Sequence, residues 1–525
     1  MNACLLGIDI GTTGAKALLI DTNGAVIASA TTEYPLHMPR PLWAEQDPRD
    51  WWQATVASIR QLLTTEGVST DRIGAVGLTG QMHGLVLLDA RGEVLRPCIM
   101  WNDQRTAGEC ARITEKIGGA ELLRLTGNPV LPGFTAPKIL WVCAHEPDVY
   151  ARVSRVLLPK DYVRYRLTGA FASDVSDASG TSLFDVGRRG WSDAMLAALE
   201  IPRAWLPEVS ESTVASAHIS ARGADETGLR AGTPVVAGAG DQAAQAVGTG
   251  ITSEGIVSVT LGTSGVVFAA SQQYRIEPQG RLHAFCHAVA GTWHVMGVML
   301  SAAGSFRWFR DALGEIERIR AAEAGRDPYE LLTEVAASAP PGCEGLLFLP
   351  YLSGERTPHP DPNARGVYFG LTLRHGKAHL ARAVLEGVAF GLRDSLELVR
   401  GLGLPIKEVR ASGGGARSPL WRQILADVFN TELTTINVTE GAAYGAALLA
   451  GVGAGELPNV AAASQHVVRV TGRTVPSTAA PIYAEAYQHY RDLYPALKPR
   501  FEALAKTEWP TSRRGGSSIS DVQER

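Results

Sequence analysis

The chain repeats one short design in its two halves, at residues 7–14 (GIDIGTTG) and 259–265 (VTLGTSG). Each copy is an apolar strand that runs into a turn rich in glycine and hydroxyl side chains, and a second apolar strand follows. Glycine permits backbone angles that other residues avoid, so such a turn can direct N–H and hydroxyl donors toward a phosphate. Two ordinary hairpins would share this pattern, but the repeat, with Asp9 just ahead of the first turn, favours a protein that transfers or hydrolyses a phosphoryl group.

The turns of this repeated design supply candidate phosphate-binding residues. They are Gly11, Thr12, Thr13 and the nearby cation Lys16 in the first copy, and Gly262, Thr263 and Ser264 in the second. The chain has neither the G-x-x-x-x-G-K-[ST] sequence of a P-loop enzyme nor the H-R-D and D-F-G motifs of a protein kinase. A nucleotide would therefore be held by the two turns and by a further segment.

A run of three glycines, Gly413, Gly414 and Gly415, is the candidate for that further segment. The run follows a predicted strand, and glycines at that place would let the backbone approach a flat ligand such as adenosine. A flexible loop is the alternative interpretation of a glycine run on its own.

Composition and charge exclude several classes of protein. The 525 residues allow two or three domains, each with its own core. A net charge of -4 without a long basic run argues against a nucleic-acid partner, and no apolar run reaches the ~18 residues that span a bilayer. The six cysteines are scattered, and the first motif begins at Gly7, which leaves no room for a signal peptide. We therefore expect a cytoplasmic protein with no membrane partner.

Apolar patterning predicts strands and helices in a mixed α/β arrangement. The first half has predicted strands at residues 5–9, 15–21, 25–32 and 73–79, and a helix that begins at Asp47-Pro48, since an acid followed by proline favours a helix start. The second half and its approach have predicted strands at 234–238 and 255–262, a long helix through 380–392 and a small-residue helix over 441–451. We divide the chain into domains at 1–248 and 249–503, followed by a polar tail, 504–525, expected to be disordered.

Longer motifs resemble those of the FGGY family of carbohydrate kinases over roughly residues 4 to 503. The residues that carry the likeness are 133–141 (GFTAPKILW), 366–371 (GVYFGL), His379-Leu380 and 383–386 (AVLE). Ala144 departs from the polar residue usual in the family. Further motifs are similar to those of family members that act on D-xylulose: 80–84 (GQMHG), 101–103 (WND), 158–162 (LPKDY) and 350–358 (PYLSGERTP).

This resemblance implies a fold, a reaction and its cofactors. The fold would be that of the actin-like ATPases, with two duplicated ribonuclease-H-like domains around a cleft. ATP and Mg²⁺ would lie in the cleft, and D-xylulose would be the phosphoryl acceptor. The N-terminal domain would bind the sugar and the C-terminal domain the nucleotide, and a homodimer is left open.

Two carboxylates are the candidate catalytic residues. Asp241 follows an apolar strand and precedes a predicted helix, so its carboxylate would face the cleft, although an acid at that place could simply cap the helix. The resemblance implies that Asp241 is the base that accepts the proton of the sugar hydroxyl. Asp9 could form a turn on its own, and the resemblance implies that it positions Mg²⁺ and the phosphates through water.

The sugar-binding candidates lie in two of the quoted motifs: Gln81, Met82, His83, Trp101, Asn102 and Asp103. The resemblance implies that the Met82-His83 pair contacts the sugar, whereas an isolated histidine in a loop commonly has a structural role. Asn102 and Asp103 offer an amide and a carboxylate suited to polyol hydroxyls, or else form a turn. Trp101 could cover an apolar sugar face or fill the core.

Two other classes of function stay open at this point. Another FGGY kinase would act on ribulose, another pentulose, gluconate or glycerol. A non-catalytic actin-like ATP-binding protein or a sugar-sensing regulator is the alternative from a different class. The presence of Asp241 and the lack of an appended helix-turn-helix or peptide-binding segment argue against that class.

Overall fold

The structure is a computed structural model that describes residues 3–64, 69–438 and 440–507. The strands of the first half are β1 (Cys4–Ile10), β2 (Gly14–Asp21), β3 (Val26–Glu33), β4 (Glu45–Gln46), β5 (Ile73–Gly80), β6 (Val86–Leu88), β7 (Cys98–Ile99), β8 (Arg155–Leu157), β9 (Ala172–Asp174), β10 (Phe184–Asp185), β11 (Gly190–Trp191), β12 (Glu208–Ser210), β13 (Ala215–His218), β14 (Pro234–Val236) and β15 (Ala239–Gly240). Its helices are α1 (Pro48–Leu63), α2 (Ala107–Ile117), α3 (Gly119–Thr126), α4 (Thr135–His145), α5 (Pro147–Tyr150), α6 (Pro159–Thr168), α7 (Val175–Ala178), α8 (Asp193–Leu199), α9 (Ala221–Thr227) and α10 (Asp241–Gly248).

The second half follows the same α/β pattern. Its strands are β16 (Gly255–Leu261), β17 (Gly265–Ser271), β18 (His283–Cys286), β19 (Trp293–Met299), β20 (Leu347–Leu349), β21 (Val367–Phe369), β22 (Ile406–Ser412), β23 (Leu433–Ile436) and β24 (Val470–Thr474). Its helices are α11 (Ala303–Leu313), α12 (Glu315–Ala324), α13 (Pro328–Ala337), α14 (Lys377–Gly401), α15 (Pro419–Phe429), α16 (Gly441–Gly453), α17 (Val460–Val467) and α18 (Ala480–Lys506).

Each half is built on a seven-stranded mixed sheet, and the two sheets share a central arrangement. The first has the order β13-β14-β5-β1-β2-β3 with β15 beside β5, and the second has the order β18-β19-β17-β16-β22-β23-β24. In the first sheet, β1 pairs antiparallel with β2 and parallel with β5. In the second, β16 pairs antiparallel with β17 and parallel with β22. The prediction of duplicated halves, each with one copy of the repeated hairpin, is confirmed.

The first sheet is covered on one side by α1, whose start follows the predicted signal. The side chain of Asp47 accepts a hydrogen bond from the backbone N–H of Arg49, and Pro48 occupies the first helical position. The buried face of the helix includes Trp51, Ile59 and Leu62, at the spacing expected of an amphipathic helix. This face packs against β2 and β3.

The segment predicted as one strand over residues 234–238 differs in the structure. It is broken into β14 and β15 by Gly238, which has a φ of +71°. A side chain at Gly238 would lie 1.9 Å from the carbonyl oxygen of Leu78, so the bend requires glycine. The bend turns the short strand β15 beside the end of β5 and leads directly into α10.

Helix α16 lies late in the sequence but packs on the first sheet. A Cβ at Gly7 of β1 would lie 2.0 Å from the carbonyl oxygen of Ala443, and one at Gly77 of β5 would lie 2.0 Å from that of Ala446. The glycines of the two strands therefore let this small-residue helix pack closely on the sheet. The domain division at residue 248 stays a prediction, while the second half of the chain contributes α16 to the cover of the first sheet.

The end of the chain corrects one expectation. The sequence predicts a disordered tail from residue 504 onward, but α18 continues through Lys506. Buried residues of α18, among them Tyr483, Tyr487 and Phe501, hold the helix against the second core. Residues 508–525 lie outside the described residues. Among the described helices, none combines the length and the apolar character needed to cross a membrane.

Candidate functional site

Three parallel strands of the first sheet end at one edge and bring the candidate carboxylates together. Ile10 of β1 pairs with Gly80 of β5, and Gly80 pairs on its other side with Gly240 of β15. Neighbouring strands lie about 4.8 Å apart, so the ends of β1 and β15 are separated by roughly 10 Å. Asp9, the penultimate residue of β1, and Asp241, the residue after β15, therefore share this edge.

Asp241 is the first residue of α10 and is half-buried. Burial, and after it the negative charge of Asp9, raise the pKa of its carboxyl to about 7, against the opposing effect of hydrogen bonding to Gln242. The N-cap position is occupied by Gly240, so Asp241 is not the capping residue that the alternative interpretation would make it. A carboxyl with such a pKa can accept a proton near neutral pH.

Asp9 is also half-buried, and its oxygen Oδ1 is buried without a hydrogen-bond partner in the described part of the chain. Burial raises the pKa of Asp9 to about 6, and the cation of Lys16 opposes the shift. Lys16 also forms an ion pair with Glu440, just before α16. Within the described residues there is no group of three or more metal-ligating side chains. An orphaned carboxylate oxygen at a sheet edge fits Mg²⁺ that keeps most of its water ligands.

The first glycine-hydroxyl turn is hydrogen-bonded to the loops that carry the sugar-binding candidates. The N–H of Gly11 donates to the carbonyl of Gly14 at 3.0 Å, so this group closes the turn. The hydroxyl of Thr12 donates to Oε1 of Gln81 at 3.2 Å, and Nε1 of Trp101 donates to the same hydroxyl at 3.1 Å. Thr13 is exposed at the tip of the turn. The turn, Gln81 and Trp101 thus form one connected surface.

Met82 and His83 lie beside the candidate base. Met82 is buried, and its Sδ lies 3.1 Å from the position that a Cβ of Gly240 would occupy, one residue before Asp241. His83 has a φ of +71°, and its Nδ1 lies 2.7 Å from the carbonyl oxygen of Gly180. Burial lowers the pKa of His83 to about 3, so the ring is neutral at physiological pH.

The loop of Trp101, Asn102 and Asp103 contains two half-buried side chains and one that is fully buried. Trp101 and Asn102 are half-buried, and Oδ1 of Asn102 lacks a hydrogen-bond partner among the described residues. Asp103 is completely buried. Its Oδ2 accepts from the N–H of Ala44 at 2.7 Å, and both of its oxygens accept from Arg105. With both oxygens occupied, Asp103 holds the loop in place and has none left for a sugar.

Buried aromatic residues missed by the sequence interpretation pack around His83. Phe134 stacks on the ring of His83 with centroids 4.5 Å apart. From the other half of the chain, Phe285 and His283 approach Phe134 with centroid distances of 6.2 Å and 5.8 Å. Phe134 lies in the quoted motif 133–141, but strand β18 had no local signal that would place it here. These rings form a buried apolar contact between the two halves.

A cavity of about 770 Å³ opens in the second half. It is lined by Gly262 and Thr263 of the second turn and by Gly414 and Gly415 of the glycine run. The described residues Ser264 and Gly413 do not line it; Gly413 has a φ of +85° and shapes the loop instead. Three aromatic side chains that the sequence interpretation missed also line this cavity: Phe306, Tyr329 and Trp421. The size and the aromatic walls suit a nucleoside.

Two duplicated α/β halves, each with a glycine-hydroxyl turn, flank a cleft with paired carboxylates and a nucleoside-sized cavity. These features define a phosphotransferase of the actin-like two-domain class. The model of the FGGY carbohydrate kinases matches this chain with its N-terminal domain at residues 4–248 and with its C-terminal domain at residues 257–454.

Individual relatives agree with that match. The xylulose kinase of Escherichia coli (strain K12) is 45% identical over 450 residues, which cover 86% of this chain and 90% of that protein. The xylulose kinase of Bacillus subtilis (strain 168) is 38% identical over 502 residues, 94% of this chain and 98% of that protein. A crystal structure of a xyloylose kinase from Brucella ovis aligns with a TM-score of 0.87 at 41% identity, covering 95% of this chain and 100% of that chain.

The chain therefore belongs to the FGGY family of carbohydrate kinases. The predicted family, the two-domain actin-like fold and the assignment as a carbohydrate kinase are confirmed. ATP is the phosphoryl donor of carbohydrate kinases in this family.

Proposed function

We propose that the protein is a xylulose kinase, which transfers the γ-phosphoryl group of ATP to the 5-hydroxyl of D-xylulose. The observation that supports this most strongly is the identity of 45% to a xylulose kinase over most of both chains. The site is consistent with it, since a neutral histidine and an amide suit an uncharged polyol. The products are D-xylulose 5-phosphate and ADP.

Asp241 acts as the general base in this proposal. Its carboxylate accepts the proton of the 5-hydroxyl while that oxygen bonds to the γ-phosphorus and the bond from phosphorus to the ADP oxygen breaks. A pKa raised to about 7 suits this role, because the carboxylate is then ionised at slightly basic pH yet basic enough to take a proton.

Asp9 is the proposed anchor for Mg²⁺, through its orphaned Oδ1 and intervening water. When bound, Mg²⁺ neutralises charge on the phosphate oxygens. The chain itself contributes Lys16 near Asp9 and hydroxyls from the two turns, Thr12 and Thr13 in the first and Thr263 in the second. Gly11, Gly262 and Ser264 shape those turns or provide backbone at them.

The sugar is assigned to the edge of the first sheet and the nucleotide to the second half. Gln81, Met82, His83, Trp101 and Asn102 are the proposed sugar contacts. Asp103 is assigned a positioning role instead, because both of its oxygens are occupied. Gly414 and Gly415 are proposed to border the adenosine, with Gly413 setting the course of their loop.

We also propose a cytoplasmic location. Of the six cysteines, five are buried and none forms a disulfide, as expected in a reducing compartment. Light scattering of the purified protein decides whether the homodimer left open by the sequence forms.

A coupled assay of ADP release tests the proposed substrate. The panel contains D-xylulose, D-ribulose, gluconate, glycerol and a no-sugar control. We expect the highest kcat/KM with D-xylulose and little ADP release without sugar. A higher kcat/KM with another acceptor would replace the proposed substrate, and ADP release independent of sugar would support the non-catalytic or ATPase alternatives.

The variant Asp241→Asn tests the proposed base. The amide keeps the shape of the side chain but cannot take a proton at neutral pH, so kcat should fall by about a hundredfold or more. Sugar binding, measured by calorimetry, should survive. Asp193→Asn, an exposed acid in the first turn of α8, is the matched control and should behave as the wild type. Turnover of Asp241→Asn within about threefold of wild type would remove Asp241 from this role.

A further inference from the structure

Five fully buried charged side chains form a cluster under the strand that leads to Asp241. They are Lys160, Asp161, Arg164, Asp174 and Asp177, each with 0% exposure, and we call them the Lys160 cluster. The ammonium of Lys160 lies 2.6 Å from Oδ1 of Asp161, 2.9 Å from Oδ1 of Asp174 and 3.2 Å from Oδ2 of Asp177. The ion pairs of the cluster thus connect α6, which contains Lys160, to the start of α7.

Stability alone does not explain such a cluster. Removing several charges from water is costly, and buried ion pairs can often be replaced by apolar residues with no loss of stability. A buried network is better explained where it fixes a geometry that apolar packing would leave loose. The question is therefore which backbone the Lys160 cluster holds.

The cluster holds the segment that precedes Asp241 at two points. The guanidinium of Arg164 donates a hydrogen bond to the carbonyl oxygen of Ala237. Oδ2 of Asp174 accepts from the hydroxyl of Ser176 at 2.5 Å and from its N–H at 2.7 Å. The hydroxyl oxygen of Ser176 in turn accepts from the N–H of Gly240 at 3.0 Å. Because the hydroxyl proton of Ser176 is directed at Asp174, a lone pair of its oxygen is left to face Gly240.

Gly240 has few other restraints. Strand β15 is only two residues long, and it follows the bend at Gly238. Gly240 is the N-cap of α10 and has no side chain with which to cap the helix. One side of Gly240 meets Met82, whose Cγ lies 3.0 Å from the position of a Cβ. Besides the two-residue pairing of β15 with β5, the bond from its N–H to Ser176 is a polar restraint on the residue immediately before the proposed base.

We propose that Ser176, oriented by Asp174 and Lys160, is a positioning residue for Asp241. Its hydroxyl fixes the backbone of Gly240 and so aims the carboxylate of Asp241 at the sugar hydroxyl. Ser176 is completely buried and acts through the backbone, without touching the substrate. This inference rests on the proposed role of Asp241 as the base.

The test compares Ser176→Ala with the matched variant Ser179→Ala. Both serines are buried near α7, and each accepts a backbone N–H at 3.0 Å, from Gly240 and from Cys286 respectively. Both variants should lower the melting temperature, and Ser176→Ala should lower it more, since it also loses a hydrogen bond donated to the carboxylate of Asp174, whereas Ser179→Ala loses one donated to the carbonyl of Val175. Only Ser176→Ala should lower kcat, by about tenfold or more, because a small misplacement of a reacting group is enough to slow the reaction.

The division between kcat and binding separates positioning from a structural defect. For Ser176→Ala we expect the KM for D-xylulose and the KM for ATP to stay within about twofold of wild type. Ser176→Cys keeps a weaker acceptor at the same place and should have an intermediate kcat. This second variant decides the matter by the same criteria if the alanine variant does not give folded protein.

Two different failures are distinguishable. If Ser176→Ala retains the kcat of Ser179→Ala while Asp241→Asn is inactive, the positioning role is overturned and the proposed base stands. A fall in kcat equal in both serine variants would also overturn it. If Asp241→Asn itself keeps its activity, the proposed function of Asp241 fails, and the inference about Ser176 fails with it.

Discussion

Asp241 and Asp9 illustrate how the surroundings of single residues set the chemistry of the site. Both carboxyls are half-buried at one sheet edge, and burial raises the pKa of each, to about 7 for Asp241 and about 6 for Asp9. The negative charge of Asp9 helps to raise the pKa of Asp241, whereas the positive charge of Lys16 limits the rise in the pKa of Asp9. Of the two, Asp241 is therefore the more basic, as the division of roles requires.

The activity should depend on pH through Asp241. A base acts only when ionised, so with a raised pKa the activity is present above about pH 7 and is lost as the pH falls below that value. The measurement is kcat/KM for D-xylulose over about two pH units on either side of the raised pKa of Asp241. The residual activity of Asp241→Asn should lack this dependence. A wild-type profile that is flat down to the acid end would contradict the assignment.

His83 should govern use of the sugar. The neutral ring donates its Nδ1–H to the carbonyl of Gly180, which leaves Nε2 as an acceptor, so its proposed contribution to an uncharged sugar is a hydrogen bond accepted from a sugar hydroxyl, together with apolar contact. A polar group left without its partner costs ~1–3 kcal/mol, so His83→Ala should raise the KM for D-xylulose roughly tenfold or more. Separate titrations of the two ligands should show that ATP affinity barely changes.

Gly414→Val provides the opposite change for comparison. A Cβ at Gly414 meets nothing within 4 Å, whereas one at Gly413 would lie 2.6 Å from the carbonyl oxygen of Leu261. Gly414 also lines the cavity, so valine there should fill nucleotide space without disturbing the fold. ATP binding should weaken and sugar binding should persist. If His83→Ala harms the binding of both ligands equally, the proposed division between the halves is wrong.

At the scale of elements, the position of Asp241 depends on the contact between α10 and α16. A Cβ at Gly445 of α16 would lie 1.8 Å from the carbonyl oxygen of Ala244 in α10, and one at Gly248 would lie 2.2 Å from that of Gly441. Glycines on both helices thus allow the backbones to touch. Since Asp241 begins α10, any displacement of this helix also displaces the carboxylate.

Gly445→Ala should therefore lower both stability and turnover. Backbone atoms cannot yield as a flexible side chain does, so the helices must separate, at a cost of about 1–3 kcal/mol. Thermal unfolding and kcat are the measurements. Gly108→Ala is the matched control: Gly108 lies in α2, and a Cβ there meets nothing within 4 Å. Equal melting temperatures and kcat for the two variants would show that this contact does not hold Asp241.

The sequence predicted what depends on neighbours along the chain. The paired hairpins, the start of α1 at Asp47 and the place of Asp241 between a strand and a helix are local patterns, and the structure has them. It did not predict that α16 returns to the first sheet, because the matching glycines are far apart in sequence. The contact of Ala44 with Asp103, the buried rings around His83 and the aromatic rings that line the cavity also join distant segments.

At the scale of the whole molecule, the proposed reaction draws on groups from both halves. The proposed sugar contacts lie at the edge of the first sheet, and the nucleoside-sized cavity lies in the second half, lined by residues of the second turn. Each proposed phosphate turn belongs to a different sheet, so we expect the halves to close around both ligands when the γ-phosphate meets the sugar hydroxyl. The stacked rings of His83 and Phe134, with Phe285 opposite, mark where the two surfaces already meet.

We therefore expect a hinge motion that is completed only when sugar and nucleotide are both bound. Small-angle X-ray scattering with D-xylulose and a non-hydrolysable ATP analogue should give a smaller radius of gyration than the free protein, and either ligand alone should give less of the change. Gly414→Val, with its nucleotide cavity obstructed, should fail to contract under the same conditions. Scattering profiles that are the same with and without both ligands would mean that the halves are already closed, and that the approach of the phosphate needs another explanation.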